Sequence, residues 1–587
     1  MSAITPNGST NQAQHVGTLI GESTSREFRM AVAHEAVREQ DIVAVDVSFR
    51  PTSENPEPER LRVWAKIQRI ERLNPLFPHE AAHELAGTGT NPFDTVVSLS
   101  REMVTAVCQV LGAEPIGGER GGRLGSLRYP PQPVSSAYRP AAADIKRVLI
   151  GDLAERQDRA LDLATLSTRS DIDVAVDGHA IVSRHLAILA MTGAGKSWTA
   201  RRIIEELAAR DYPIVIFDPH GEYTGLAEVP ALKDRVKLYQ THIPILDESP
   251  DDAQALIESL AGEEMSAPQV EGFSMLFRAA RRVISDDNLR SGKLEETLFA
   301  ITGNENIRKY PLRSDLFALS HLAEAVHTAL TNKDAEGKRA LADLGFSQIN
   351  QIPQQQFGSF RVLARQLRRA SFELKKNADI NRLRSPQGSV PLPADRSELV
   401  RYGQISVVMM AGYPDTLKAT AYSLIAGDLF HGRVQGKVKY PFNMVIEEAH
   451  NFVPSSASEI AIQRSIALTK QVAQEGRKFN VGLTLISQRP SRLDETTLAM
   501  CNSFIIMRMI NPDDQRFVRR VIESLGEDEA QLLPDLDVGE AILSGQMVNF
   551  PVLVKMKAPA SRGEREETDA FEVLRKAHAE AARARRS

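Results

Sequence analysis

The stretch "HLAILAMTGAGKSWTARRII", His185 to Ile204, places a lysine and a serine directly after a glycine-spaced turn. Gly193 and Gly195 let the backbone turn so that successive N–H groups point at one centre, an arrangement that suits phosphate oxygens. Lys196 then offers a cation to the β- and γ-phosphates, and the Ser197 hydroxyl offers a ligand to Mg²⁺. The motif GxxxxGK[ST] asks for glycine at its first position, where this chain has Ala190. A methyl group is tolerable at a strand end if φ stays negative. The expectation is a nucleotide-binding loop formed by Met191, Thr192, Gly193, Ala194, Gly195, Lys196, Ser197 and Trp198, with ATP and Mg²⁺ as its ligands.

A phosphate loop needs a strand bearing carboxylates. In "FNMVIEEAHNF" the apolar run Met444, Val445, Ile446 delivers Glu447 and Glu448 to a sheet's C-terminal edge, where α/β folds place their ligands. Glu447 is the expected Mg²⁺ ligand, and Glu448 the expected base that orients and deprotonates the attacking water. The bland alternative is an exposed acidic pair after a buried strand. "LTLISQRPSRL" ends another strand at Gln488, whose amide both donates and accepts. It suits sensing of a γ-phosphate or orientation of water, with a surface-turn glutamine as the other reading. "QVAQEGRKFNVG" carries Arg477 in a helix-to-strand turn. There it is either a transition-state cation supplied across a subunit boundary or an ordinary arginine at a helix C-terminus. In "FDPHGEY", Asp218, His220 and Glu222 follow a second apolar run. They are assigned to the edge of the site, against the alternative of a polar loop with a capping aspartate. One histidine and two acids do not make a metal constellation.

These motifs require a framework. "HLAILAM" is an apolar run suited to a buried strand, and Ile203, Ile204 and Leu207 in "SWTARRIIEELAAR" have helical spacing. From about Asp171 strands alternate with helices: "YPIVIFDPHGEY", "QISVVMMAG", "YPFNMVIEEAHNFV", "FNVGLTLISQRPS", "CNSFIIMRMI" and "VGEAILSG". They predict an α/β fold with a RecA-like parallel-sheet ATPase core. A helical insertion interrupts it, with pieces such as "DDAQALIESLAGEEM" and "FRVLARQLRRASFELKKN". Upstream, "VGTLIGESTSREFRMAVAH", "DIVAVDVSF" and "LRVWAKIQRI" predict an N-terminal β-barrel. "PFDTVVSLSREMVTAVCQVLG" is ambiguous between helix and strand, and "GGERGGRLGSLRYPPQPVSSAYRP" is a turn-rich linker or hairpin. The expected division is a disordered start at 1–15, barrel and linker at 16–150, core at 151–244, helical insertion at 245–400, core at 401–558, and a C-terminal strap or basic tail at 559–587.

The chain has 587 residues, 42% hydrophobic and 25% charged, with a net charge of −5. No bulk basicity announces nucleic acid, so any such contact must come from a local patch or lined channel. Only two cysteines, Cys108 and Cys501, are present, which excludes a disulfide scaffold and a zinc constellation. The polar first fifteen residues and the lack of a long apolar run predict a cytoplasmic protein.

"RHLAILAMTGAGKSWT", "VIFDPHGEY", "VIEEAHNFVP", "EGRKFNVGL" and "ISQRPSRL" occur in the order found in the HerA branch of the HerA/FtsK ATPases, which this chain resembles. The N-terminal strands resemble that family's HAS-barrel. The resemblance implies a homohexameric ring that translocates double-stranded DNA. It also implies a nucleotide contact from the arginine before the first Walker strand, Arg184 here, and a C-terminal strap near Val552 to Lys557 over a neighbouring site. It further implies an effector partner: a NurA-like nuclease in end processing, or a Sir2-like or other subunit in antiphage complexes. A ring that organises and activates such an effector without moving DNA uses the same site residues and stays open at this point.

Overall fold

The computed structural model describes residues 14–32, 36–49, 60–73, 103–117, 124–151, 153, 156–241, 245–247, 249–284, 288, 292–309, 315–561 and 570–584. Two compact units divide the chain. Unit one comprises residues 1–210, 486–491 and 498–560; unit two comprises residues 211–485, 492–497 and 561–587.

Unit one begins with a closed barrel of β1 (Gln14–Ser23), β2 (Glu27–Val32), β3 (Ile42–Ser48), β4 (Arg60–Leu73), β5 (Met103–Pro115) and β6 (Ser136–Arg139), in the order β1-β2-β5-β4-β3-β6. All neighbours are antiparallel. Alternating residues such as Leu19, Phe28, Met30, Val45, Val63 and Ile67 fill the interior, so this is a packed core rather than a channel. Closure removes the sheet edges that would otherwise invite pairing with other chains. The barrel is pinned to the rest of its unit by a buried ion pair, Lys66 Nζ to Glu529 Oε1 at 2.5 Å. Burial desolvates both ions, so breaking one partner is far costlier than the net worth of the pair.

The remaining strands follow in chain order. They are β7 (Ala160–Leu166), β8 (Arg169–Asp177), β9 (Leu186–Leu189), β10 (Ile214–Asp218), β11 (Val236–Gln240), β12 (Val390–Pro391), β13 (Ile405–Met409), β14 (Phe442–Ile446), β15 (Val481–Ser487), β16 (Ser503–Met507), β17 (Glu540–Gly545) and β18 (Val552–Met556). In unit two the order β12-β11-β13-β10-β14-β15 is parallel throughout. Its central strands, IVIFD, ISVVM and FNMVI, are buried at every position, as near-continuous apolar runs in a covered parallel sheet should be. Parallel pairing puts the C-terminal ends of β10, β13 and β14 on one edge, which gathers Asp218, Glu447 and Glu448.

The parallel expectation needs extending in unit one. β9 and β16 are parallel, but β16-β17-β18-β7-β8 run antiparallel. Short connections decide two of these pairs: two residues join β7 to β8 and six join β17 to β18, too few for the crossover a parallel pair needs. The segment near Val552 to Lys557, implied as a strap, is here strand β18 between β17 and β7, and Lys557 Nζ bonds Asp162 and Asp173 at 2.7 Å. The ambiguous "REMVTAVCQVLG" is strand from Met103 onward. The earlier part of that stretch, most of the 1–15 start and residues 118–123 of the glycine-rich stretch lie outside the described residues. The C-terminal "FEVLRKAHAEAARA" is helical.

The interruption in unit two is helical, with helices Pro250–Ala261, Ala267–Val283, Lys293–Thr302, Asp315–Thr331, Ala335–Asp343 and Phe357–Arg384. Local signals set their ends. Ser249 caps the first by accepting the Asp252 N–H, Pro250 opens it, and left-handed Gly262 closes it. Among the described residues no helix is long and apolar enough to cross a membrane.

Candidate functional site

In unit one, β9 runs directly into the glycine turn and the helix Lys196–Ala208. Ala190 is fully buried and its φ is not positive, so the methyl in place of glycine is accommodated. Its N–H bonds Ser487 O at 3.2 Å, and the Met191 N–H bonds Arg508 O at 3.0 Å, which fixes the strand end. Gly193 and Gly195 have φ of 81° and 104°, values that side-chain-bearing residues avoid. Gly195 is the N-cap, so Lys196 and Ser197 open a helix whose N-terminal N–H groups favour an anion. Lys196 is buried and Trp198 is exposed. Gln488, one residue beyond β15, accepts a hydrogen bond from the Thr192 hydroxyl at 2.5 Å. The turn glutamine thus touches the phosphate loop through an exposed hydrogen bond.

In unit two, Asp218 is fully buried at the end of β10. Its Oδ1 accepts the N–H groups of His220, Gly221 and Glu222, and its Oδ2 accepts that of Tyr223 at 3.0 Å. Burial pushes its pKa up, against the pull of these four N–H groups. This carboxylate bonds its own turn, as a capping aspartate does, at the sheet edge that also carries Glu447 and Glu448. His220 is exposed on that turn and Glu222 half-buried. The turn's purpose is visible one residue later. Buried Tyr223 donates its phenol proton to Glu447 Oε2. Burial, together with the charge of Glu447, holds that phenol well above its usual pKa of 10, so it is a permanent donor. Tyr223→Phe therefore leaves a buried carboxylate without this donor. It should cost about 1–3 kcal/mol, read as a lowered urea midpoint with unchanged slope; an unchanged midpoint would show that the phenol contributes nothing.

Glu447 is fully buried after β14, and Glu448 is 5% exposed. Glu448 has φ 50° and ψ 50°, a left-handed backbone for a non-glycine residue. Such strain costs about 1–3 kcal/mol and clusters where a side chain must be aimed. Glu448 Oε2 lies 3.3 Å from His450 Nδ1. Tyr223 and His450 both stand inside motifs quoted above, but sequence reasoning gave neither a role. Among the described residues no group of three or more His, Cys, Asp or Glu could hold a metal.

Two expected site residues stand apart. Arg477 is exposed in the last turn of the helix Ile460–Phe479, just before β15 starts at Val481. β15 is parallel to β14, with Phe442 opposite Val481 and Ile446 opposite Leu485. Arg477 is thus at the N-terminal edge of the sheet, roughly 16 Å of strand from the edge carrying Glu448. Arg184 ends the helix before β9, at the end of that strand away from the phosphate loop, and its guanidinium donates to Gln546.

The description "Helicase HerA, central domain" matches residues 161–428, from β7 through the first phosphate loop and into the helix after β13. Over these residues the chain is similar to HerA-type ATPases. A probable helicase of Methanocaldococcus jannaschii is 29% identical over 74% of this chain and 73% of its own length. The DNA double-strand break repair helicase HerA of Pyrococcus furiosus is 26% identical, with 78% of each chain covered. Among solved structures, VirB4 of Thermoanaerobacter pseudethanolicus aligns over 68% of this chain and 96% of its own, at 16% identity and a TM-score of 0.40. The plasmid coupling protein TrwB in complex with ADPNP aligns over 69% and 91%, at 14% identity and a TM-score of 0.38. In this chain Ala190 changes the motif's first letter, and the turn that follows it keeps its left-handed glycines.

Proposed function

We propose that this chain hydrolyses ATP with Mg²⁺ and couples the hydrolysis to movement of double-stranded DNA in a homohexameric ring. The observation that carries the reading is the backbone of two short segments: glycine turns that open a helix at Lys196, and a buried acidic pair whose second member, Glu448, is held in a left-handed conformation. Lys196 and the N–H groups of the glycine turn and of the first helical residues bind the phosphates. Mg²⁺ would be held by Ser197 and Glu447, hard oxygen donors that fit it, and would neutralise phosphate charge. Glu448 receives the proton of the attacking water, with His450 beside it to fix its rotamer. Gln488, held by Thr192, orients that water or senses the γ-phosphate. The relatives named as DNA double-strand break repair helicases support DNA as substrate; we further propose that the ring supplies DNA in the cytoplasm to a separate nuclease or Sir2-like effector, in end processing or antiphage defence. Displacement of a triplex-forming strand from a duplex track, dependent on ATP, tests the reading; ATP turnover indifferent to duplex DNA with no strand displacement overturns it.

The polar separation of Arg477 from Glu448 within one chain bears on assembly. An arginine at the far edge of the sheet can add transition-state charge only to a neighbour's site. Arg477→Ala is expected to bind ATP yet lower turnover by about 10³-fold or more. Mixed with Glu448→Gln subunits, it should recover activity, because some interfaces then pair an intact Glu448 with an intact Arg477. The readout is turnover against mixing ratio, with assembly followed by mass. Full activity of Arg477→Ala alone would remove the residue from the site and leave Arg489 or Arg508 as the next candidates.

A further inference from the structure

The helix Phe357–Arg384 is the longest in the insertion, and its two faces differ sharply. One face is buried: Phe360, Leu363, Leu367 and Ala370 lie against the helices Asp315–Thr331, Pro250–Ala261 and Ala267–Val283. Farther along, buried Asn381 donates to Met409 O and Ala411 O, both at 2.9 Å, tying the helix to the end of β13. The helix is therefore held along its length and presents a fixed outer face. That face is cationic. The helix carries eight Lys and Arg against two acids, a balance of +6 in a chain whose net charge is −5, and all eight cations are exposed.

Half of these cations are already engaged. Arg365 and Arg369 approach Glu263 at 3.9 and 3.3 Å, Arg368 meets Glu324 at 2.7 Å, and Lys376 meets Glu373 at 3.5 Å. These are exposed pairs, each worth little to folding and readily exchanged for another anion. Arg361, Lys375, Arg382 and Arg384 make no ion pair among the described residues. Arg361 precedes the paired ones, Lys375 stands among them and Arg382 and Arg384 follow, so the charge runs the length of the face. From residue 361 to residue 384 the helix rises about 35 Å, which equals roughly one turn of B-form DNA. Phe372 and Leu383, 68% and 83% exposed, lie on the same face and offer apolar contact to sugars.

We propose that this face is a duplex-DNA contact surface, in which the cations of the helix Phe357–Arg384 meet phosphates along one helical turn. The proposal rests on double-stranded DNA being the substrate but places the contact outside the nucleotide site. Its counterion-release signature makes it testable. The variant Lys375→Gln/Lys376→Gln/Arg382→Gln/Arg384→Gln removes four cations while keeping good helix formers. Binding of a fluorescent blunt duplex is followed by anisotropy across a salt series in full-length wild type and variant, with thermal unfolding and mass as controls. The expected result is a ten-fold or greater loss of affinity and a slope of log K against log salt shallower by about 2–4. Arg382→Lys/Arg384→Lys, which keeps the charge, should bind as wild type does. Wild type that binds duplex while the folded quadruple variant shows the same affinity and slope overturns this inference and leaves the proposed function standing. Wild type that binds no duplex overturns both. A variant that loses ring assembly with an unchanged slope identifies the face as a subunit contact and overturns the DNA assignment, as would equal loss on an acidic polypeptide but not on DNA.

Discussion

Replacement of Lys196 by alanine is expected to abolish ATP turnover. The side chain opens a helix directly after left-handed Gly195 and is buried against the phosphate turn. No other residue of the loop from Met191 to Ser197 carries a full positive charge. The helix N-terminus contributes only about half a charge, softened by its distance from the γ-phosphate. Loss of one preorganised donor at developing phosphoryl charge costs on the order of 10²–10³ in rate, and loss of a full cation should lie at or beyond the upper end. The fold should survive, since truncation of a lysine in the first turn leaves the strand β9 and the apolar face of Ile203, Ile204 and Leu207 in place. Phosphate release at saturating ATP, compared with thermal unfolding of the same preparation, checks both statements. Turnover within a few-fold of wild type in a folded preparation would remove the loop from the chemistry.

Glu448→Gln is expected to separate binding from hydrolysis. The amide keeps the shape of the carboxylate and its place beside His450, but it cannot take a proton from water. ATP affinity should stay within about three-fold, while single-turnover cleavage falls by roughly 10²–10⁴. The left-handed backbone at this position sharpens the expectation. A residue held at φ 50° by its surroundings has little freedom to let a neighbour take over its role. Glu447 is not such a substitute, because one of its oxygens accepts from Tyr223. Filter binding of ATP together with quenched single-turnover assays decides the matter. Equal loss of binding and cleavage would show that Glu448 shapes the pocket instead of acting as base.

Much of the site was legible because its chemistry is local. A glycine turn followed by Lys196 and Ser197, or an apolar pentapeptide followed by Glu447 and Glu448, is set by geometry over a few bonds, so residue order alone implies where the functional groups point. The alternation of buried strand and helix carried the parallel half of the sheet for the same reason. Short connections at β7-β8 and β17-β18 give antiparallel pairs instead, whereas the pairing of β16 with β17 and of β18 with β7 joins strands far apart in sequence and is chosen by packing. Asp218 illustrates the limit. Its sequence position is equally compatible with facing a ligand and with capping a turn, and only the folded turn shows four backbone N–H groups drawn onto its carboxylate. Tyr223 is 224 residues from the Glu447 it bonds, a pairing created only when β10 and β14 come side by side. Likewise "QEGRKF" reveals that Arg477 ends a helix, but only the register of β14 against β15 places it at the edge opposite Glu448. The helix Phe357–Arg384 shows both sides at once: its cations are plain in the residue order, while their collection on one exposed face follows from which side the neighbouring helices bury. Local chain stereochemistry sets the loops and the acidic strand end, whereas burial and strand register, which sum contacts over hundreds of residues, set which of those groups face one another.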